Sequence, residues 1–239
     1  MRSIGILVAM REELQSILQL WPLDWTGPGD FYSGKCGSVR IQVALSGAGL
    51  ERAQDAARQL ARLGAPNLLL SVGLSGGLKR DLKVGDLVLA SHSQVLGGEP
   101  EVTNQELLER VRQSYPCRVG GLLSLPVVLC KPGDKAIIAA ACPEALALDM
   151  ESYSLAQTAA EHKIPWLALR AVSDSLHESL PLDFNKSMNE KGQVSRLRLI
   201  GQLIHRPAAV TRLIRFSGHV QRAQASLLKG LDNLLGAVS

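Results

Sequence analysis

Short apolar, branched runs recur along this chain, and stretches with helical spacing separate several of them. The runs cover residues 4–9, 39–45, 68–72, 87–91, 122–129, 145–148 and 166–172. Between the second and third, Ala53, Ala56, Ala57, Leu60 and Leu63 recur at three- and four-residue steps, one face of a helix. Strands alternating with helices imply an α/β domain whose largely parallel sheet is covered on both faces. Extra strand-like sequence in residues 31–45 makes the sheet mixed, so the expected fold class is a three-layer α/β sandwich. With 239 residues, 46% of them hydrophobic, one domain over 1–239 can bury a large core. No apolar run reaches the roughly 18 residues of a membrane span. The N-terminal MRSIGILVAMREE meets acids at once and reads as a first strand, not a signal peptide.

Ligands of such sheets bind at the carboxyl ends of strands, so the residues just after each run carry the most information. The run at 145–148 ends in Asp149-Met150-Glu151. Burying a carboxylate is expensive unless it is paired or hydrogen-bonded, so these acids are candidates for holding something. The run at 166–172 ends in Ser173-Asp174, where Asp174 can equally be a helix N-cap. After the first run come Glu12 and Glu13, and opposing a helix dipole accounts for at least one of them. Glycines come after two further runs, in Ser46-Gly47-Ala48-Gly49 and Gly73-Leu74-Ser75-Gly76-Gly77. They either bring backbone N–H groups close to a ligand or only form tight turns. Cys36, Cys117, Cys130 and Cys142 form no C-x-x-C pair. Neither they nor the scattered histidines suggest a metal, and a cytosolic protein with reduced thiols is expected.

The net charge of +4 is unevenly placed: from Arg196 onward six Arg and one Lys face only Asp232. There the sequence predicts an amphipathic helix over about 207–235 that begins at Pro207. Arg212, Arg215, His219, Arg222 and Lys229 form one face, with Val210, Leu213, Ile214, Val220, Leu227, Leu231 and Leu234 broadly opposite. Such a helix either packs on the domain or leans on an anionic membrane surface. Aromatic residues make up only 4% of the chain, which argues against nucleic acid. The polar segment 179–194 reads as a lid or a surface loop.

GILVAMREE, LSGAGLERA, VGLSGGLKRDLKVGDLV, LALDMES and LRAVSD stand here in the order of the motifs of the nucleoside phosphorylase and nucleosidase superfamily, over roughly residues 3–175. The chain resembles that superfamily, which includes methylthioadenosine/S-adenosylhomocysteine nucleosidase. The resemblance implies cleavage of a bond between ribose and a purine. It implies that Asp174 protonates or hydrogen-bonds N7 of the leaving base and that Glu151 accepts from the ribose hydroxyls. Met150 would pack on the sugar, and Glu13 would position an attacking water. Ser173, Gly47, Gly49, Gly76 and Gly77 would complete the substrate site, and a homodimer is implied by analogy. No cofactor is implied, although inorganic phosphate as a co-substrate stays open.

Two features depart from the nucleosidases. Leu74 stands where they usually carry serine, and the segment around Lys131, Asp134 and Lys135 is short and basic. Together with ALDMES and the Arg206-Pro207-led tail, these features resemble the hopanoid-associated phosphorylases, which remove adenine from adenosylhopane. That lipid substrate would suit an enzyme peripheral to the inner membrane. A nucleosidase for methylthioadenosine, S-adenosylhomocysteine or futalosine is the alternative, and a non-catalytic nucleoside-binding protein is a third reading.

Overall fold

A computed structural model describes residues 2–21, 23–27, 29–195, 198, 201–202 and 209–238. Its elements are β1 (Arg2–Val8), α1 (Arg11–Leu20), β2 (Phe31–Cys36), β3 (Val39–Leu45), α2 (Leu50–Gly64), β4 (Leu68–Gly77), β5 (Leu87–Gln94), β6 (Glu101–Val102), α3 (Gln105–Ser114), β7 (Arg118–Ser124), α4 (Pro132–Ala141), β8 (Ala145–Asp149), α5 (Ser152–His162), β9 (Trp166–Asp174), α6 (Phe184–Ser187) and α7 (Ala209–Val238).

The strands form one mixed sheet in the order β2-β3-β1-β4-β8-β7-β5-β6, with β9 bridging β4 and β5. β1 lies parallel to β3 and β4, while β2 returns antiparallel on β3, as the strand-like residues 31–45 imply. Because β9 pairs with β4 on one side and β5 on the other, the strands β4, β8, β7, β5 and β9 close on themselves. Nothing in the sequence pattern signals that closure.

Two apolar layers cover the sheet. On one face α2 presents Ala53, Ala56, Ala57 and Leu60, as its spacing predicts, and packs with Leu155, Ala156 and Ala159 of α5. On the other face Leu14 and Ile17 of α1, Leu108 and Val111 of α3, and Leu227, Leu231 and Leu234 of α7 share a second core. The result is the expected three-layer α/β arrangement.

Three expectations change. The glycines 73–77 do not form a strand-to-helix turn but continue β4, which pairs with β9 throughout and with β8 at Gly76 and Gly77. The run 122–129 is a strand only to Ser124, after which the chain leaves the sheet. Segment 179–194 is neither a free lid nor a plain surface loop. It carries α6, and it is tied down by Gln193 Nε2 donating to the Ala9 carbonyl at 2.9 Å and the Ala48 amide donating to the Gly192 carbonyl at 3.0 Å.

The C-terminal helix packs on the domain through its second half. Its first half splits the expected apolar face: Val210 is 44% and Ile214 69% exposed, while Leu213 and Val220 turn inward. Arg212, Arg215, Arg222 and Lys229 are exposed, and His219 is half-buried with Nδ1 3.5 Å from Glu178. The start expected at Arg206-Pro207 lies outside the described residues. Among those residues no helix is long and apolar enough to cross a membrane.

Candidate active site

A cavity of about 480 Å³ lies at the carboxyl ends of β1, β4, β8 and β9. Glu13, Glu151 and Asp174 all line it, although far apart in the chain, and each is buried. Met150, Ser173 and Gly76 line it too.

Glu13 enters from the first turn of α1, where Glu12 beside it is exposed. Its Oε2 accepts from the amides of Met10 at 3.0 Å and Ala9 at 3.2 Å, so it does cap its own helix. Its Oε1 reaches across to the Leu74 amide at 3.1 Å, a contact that capping alone does not need. Gly73 makes room for this approach: a Cβ there would stand 3.0 Å from Glu13 Oε1 and 3.1 Å from Arg170 Nη1. Burial pushes the Glu13 carboxyl up, against hydrogen bonds from Met10 and Leu74 and the nearby Arg170 charge.

The two acids after β8 have separate tasks. Asp149 points into the protein, where it accepts from Arg170 Nε at 2.8 Å, from the Ser124 hydroxyl and from the Ser152 hydroxyl. It fixes the start of α5. Glu151 faces the cavity, its Oε1 3.4 Å from the Gly49 amide and its Oε2 3.6 Å from Arg170 Nη2. Burial pushes its carboxyl up to about 8; Arg170 opposes the shift, while Asp149 and Glu13 add to it.

Arg170 could face either side of β9 on sequence grounds; it faces the acids. Nη2 also donates to the Ser71 hydroxyl at 2.7 Å, and Nη1 has no hydrogen-bond partner among the described residues. Burial works against its charge, yet Asp149, Glu151 and Glu13 outweigh that and raise the group above its ordinary value.

Asp174 ends β9 and caps no helix. A register shift between Ser75 and Gly76 sets it opposite Gly76, where a Cβ would stand 3.3 Å from its Oδ2. Ser173 donates its hydroxyl to Oδ1 at 2.6 Å. Lys135, wholly buried on α4, pairs with Oδ2. Sequence reasoning places that lysine only in a short basic segment. The signal available was its position beside the apolar stretch AIIAAA.

Of the remaining glycines, Gly49 serves through its amide. None of Gly47, Gly49 and Gly77 lines the cavity. Gly47, at φ +77°, turns against the Lys191 carbonyl, 2.0 Å from where its Cβ would be, and the vacant side of Gly77 faces Val172. Away from the acids the cavity wall is apolar, built by Val127 to Leu129, Leu180, Phe184, Met188, Leu213, Phe216 and Val220. Phe184 and Phe216 meet with ring centroids 5.5 Å apart.

An α/β sheet whose strand ends gather three carboxylates at one end of a largely apolar hollow defines a class of enzyme-like site, and the sequence places it. The chain belongs to the Phosphorylase superfamily, which it matches over residues 3–204. It is similar to 5'-methylthioadenosine/S-adenosylhomocysteine nucleosidases. That of Aeromonas salmonicida is 25% identical, covering 84% of this chain and 100% of the relative. That of Staphylococcus haemolyticus is 27% identical, covering 80% and 95%. Among solved structures, futalosine hydrolase of Helicobacter pylori superposes with a TM-score of 0.77 at 20% identity, covering 98% of this chain and 97% of that one. The Helicobacter pylori 5'-methylthioadenosine/S-adenosylhomocysteine nucleosidase does so with 0.76 at 21%, covering 98% of each. At such identities the structural likeness bears on the fold alone.

Proposed function

We propose that this protein hydrolyses the N-glycosidic bond of an adenine nucleoside whose 5′ carbon carries a large apolar group, with adenosylhopane as the substrate. The observation that carries the reading is the single cavity with carboxylates at one end and an apolar wall at the other. A volume of about 480 Å³ falls in the range of small-molecule sites, roughly 300–1,000 Å³. The nucleoside fills the polar end, and the substituent leaves along the wall of Phe184, Leu213 and Phe216, past Val127, which is 47% exposed.

A purine anion is a poor leaving group, so a proton delivered to N7 speeds cleavage by about 10²–10⁴-fold. Asp174 is the acid for that position. As the bond opens, ribose gains oxocarbenium character. Glu151 grips the diol and, once its proton is displaced by the sugar hydroxyls, faces that cation with negative charge. Glu13, pushed up by burial, takes a proton from the attacking water. Water is favoured over phosphate because carboxylates dominate the polar end, and Arg170, held by Asp149, Ser71 and Glu151 with only Nη1 unpartnered among the described residues, does not line the cavity. A nucleosidase for methylthioadenosine or futalosine keeps the same acids but leaves the long apolar wall without a partner.

The protein acts as a homodimer in the cytoplasm in this reading, peripheral to the inner membrane. Exposed Val210 and Ile214 lie beside Leu213 of the cavity wall, so a lipid-borne nucleoside meets apolar side chains before it enters. The test is adenine release from methylthioadenosine, S-adenosylhomocysteine, futalosine and adenosylhopane in detergent, with and without inorganic phosphate. Release from adenosylhopane without phosphate is expected. Turnover of methylthioadenosine with none of the lipid would overturn the substrate. A requirement for phosphate would overturn hydrolysis.

A further inference from the structure

We infer that Lys135 is a positioning residue for departure of the base, supplying through Asp174 the proton that leaves with it. This inference rests on the glycosidic reading. Lys135 stands in the first turn of α4 and is the one residue of that helix that is buried, whereas Ile137 two positions on is 69% exposed. This inverts the usual placement, in which apolar side chains face the core and charges face water. The N-terminal end of a helix also disfavours a cation. Nothing in α4 itself explains the lysine, and a buried cation costs several kcal/mol unless it is paired.

What holds it is the segment that carries Asp174. Nζ pairs with Oδ2 of Asp174 and donates to the carbonyls of Ser175 at 2.9 Å and Glu178 at 3.4 Å. An ammonium has three protons to give, and all three are engaged on this one stretch of chain. Ser173 donates to the other carboxylate oxygen at 2.6 Å. Both oxygens of Asp174 therefore face donors, and an ionised carboxylate is an acceptor only. To protonate a base it must first receive a proton, and the acid in contact with it is Lys135.

The step balances. A proton passes from Nζ to Oδ2 and on to N7 while the electron pair of the C1′–N9 bond moves onto the purine. Lys135 is left as a neutral amine. Water gives hydroxide to C1′ and its other proton to Glu13, and solvent returns that proton from Glu13 to Lys135. One water is consumed, and neutral adenine and the free sugar leave.

The test compares two leaving groups on Lys135→Met: 5′-butylthioadenosine, whose adenine needs a proton, and 4-nitrophenyl 5-butylthio-5-deoxyribofuranoside, whose nitrophenolate does not. Adenine release is expected to fall by about 10²–10³-fold, and the ratio of nitrophenolate to adenine rates to rise by the same order. Equal losses on both would make the lysine purely structural and overturn the inference. Should Lys135→Met not fold, Lys135→Met/Asp174→Asn, which leaves no unpaired buried carboxylate, is compared with Asp174→Asn alone. Residues acting on the same proton are non-additive, so a further loss below about threefold is expected. A further loss of about 10²-fold would show Lys135 acting apart from Asp174 and overturn the inference. A parent protein that releases no adenine from any nucleoside would sink the glycosidic reading itself. Parent activity with equal losses in the variant sinks only the role of the lysine.

Discussion

Nε of Arg170 donates to Oδ2 of Asp149 across 2.8 Å, with the guanidinium 1% and the carboxylate 0% exposed. The pair ties β9 to the end of β8 and so sets the distance between the two strand ends that carry Asp174 and Glu151. Removing one partner of a buried pair leaves the other charge uncompensated. Arg170→Met is expected to cost about 3–5 kcal/mol in urea denaturation, and Arg170→Met/Asp149→Asn to recover roughly half of that.

Asp174→Asn keeps the shape of the side chain; its amide oxygen can still accept from Lys135, while its NH2 donates to the Ser173 hydroxyl, which turns its own proton to the Ser75 carbonyl at 3.2 Å. The fold is expected to survive with a melting temperature lowered by about 5–10 °C, because the buried Lys135 keeps its hydrogen bonds but loses its countercharge. Adenine release is expected to fall by about 10²–10⁴-fold, since Asn has no proton to relay. Full activity in a release assay would remove Asp174 from the chemistry.

Glu151 makes stability depend on pH. Its carboxyl is pushed from 4.5 up to about 8 by burial, so between those values the folded chain holds a proton that the unfolded chain has released. The contribution of this group is therefore greatest below about 4.5 and declines as pH rises to about 8. Glu151→Gln cannot ionise and escapes that decline. Its melting temperature relative to the parent is expected to rise by about 5 °C between mildly acidic and mildly alkaline buffer. A difference independent of pH would contradict the burial of a neutral Glu151.

Gly76 gives Asp174 its room. A Cβ at position 76 would stand 3.2 Å from Leu148 Cδ1 and 3.3 Å from Asp174 Oδ2. Gly76→Ala is expected to fold, because a shift of a few tenths of an ångström suffices. It is expected to lose about tenfold in kcat through displacement of the carboxylate, with KM changed less. Steady-state kinetics on 5′-butylthioadenosine decide it.

The tail cannot be tested by truncation near Gly201, because that would strip Leu227, Leu231 and Leu234 from the core. Ile214→Asn with Arg212→Gln alters only exposed positions. Co-sedimentation with anionic vesicles is expected to weaken by about tenfold, with the melting temperature within about 2 °C of the parent. Unchanged co-sedimentation would leave the membrane contact without support.

Much of the frame was legible in the sequence because strands and helices here keep to their periodicities, and because acids at the ends of apolar runs must be satisfied by something. Asp149 and Glu151 stood out for that reason, whereas the roles of Glu13 and Asp174 came from the resemblance to the nucleoside phosphorylase and nucleosidase superfamily. What escaped depends on pairing between distant segments. The direction of Arg170 is set by the register of β9 on β4. The glycines at 73–77 look like a turn until β8 and β9 are both present to hold them extended. Lys135 is invisible as a buried cation because its partner lies on another element. The exposed Ile214 broke the expected apolar face because the first half of α7 borders a hollow instead of packing on the sheet.

The five-strand ring has a consequence for biogenesis. β9 is the last stave to be synthesised, and it must slot between β4 and β5, both made long before it. Until it does, Asp174 has no fixed place and Glu151 lacks its neighbour Arg170. Contacts between segments so distant in sequence form late, after their loops have closed. A nascent or half-assembled chain thus carries Glu13, Glu151 and Asp174 without the chamber that buries them together.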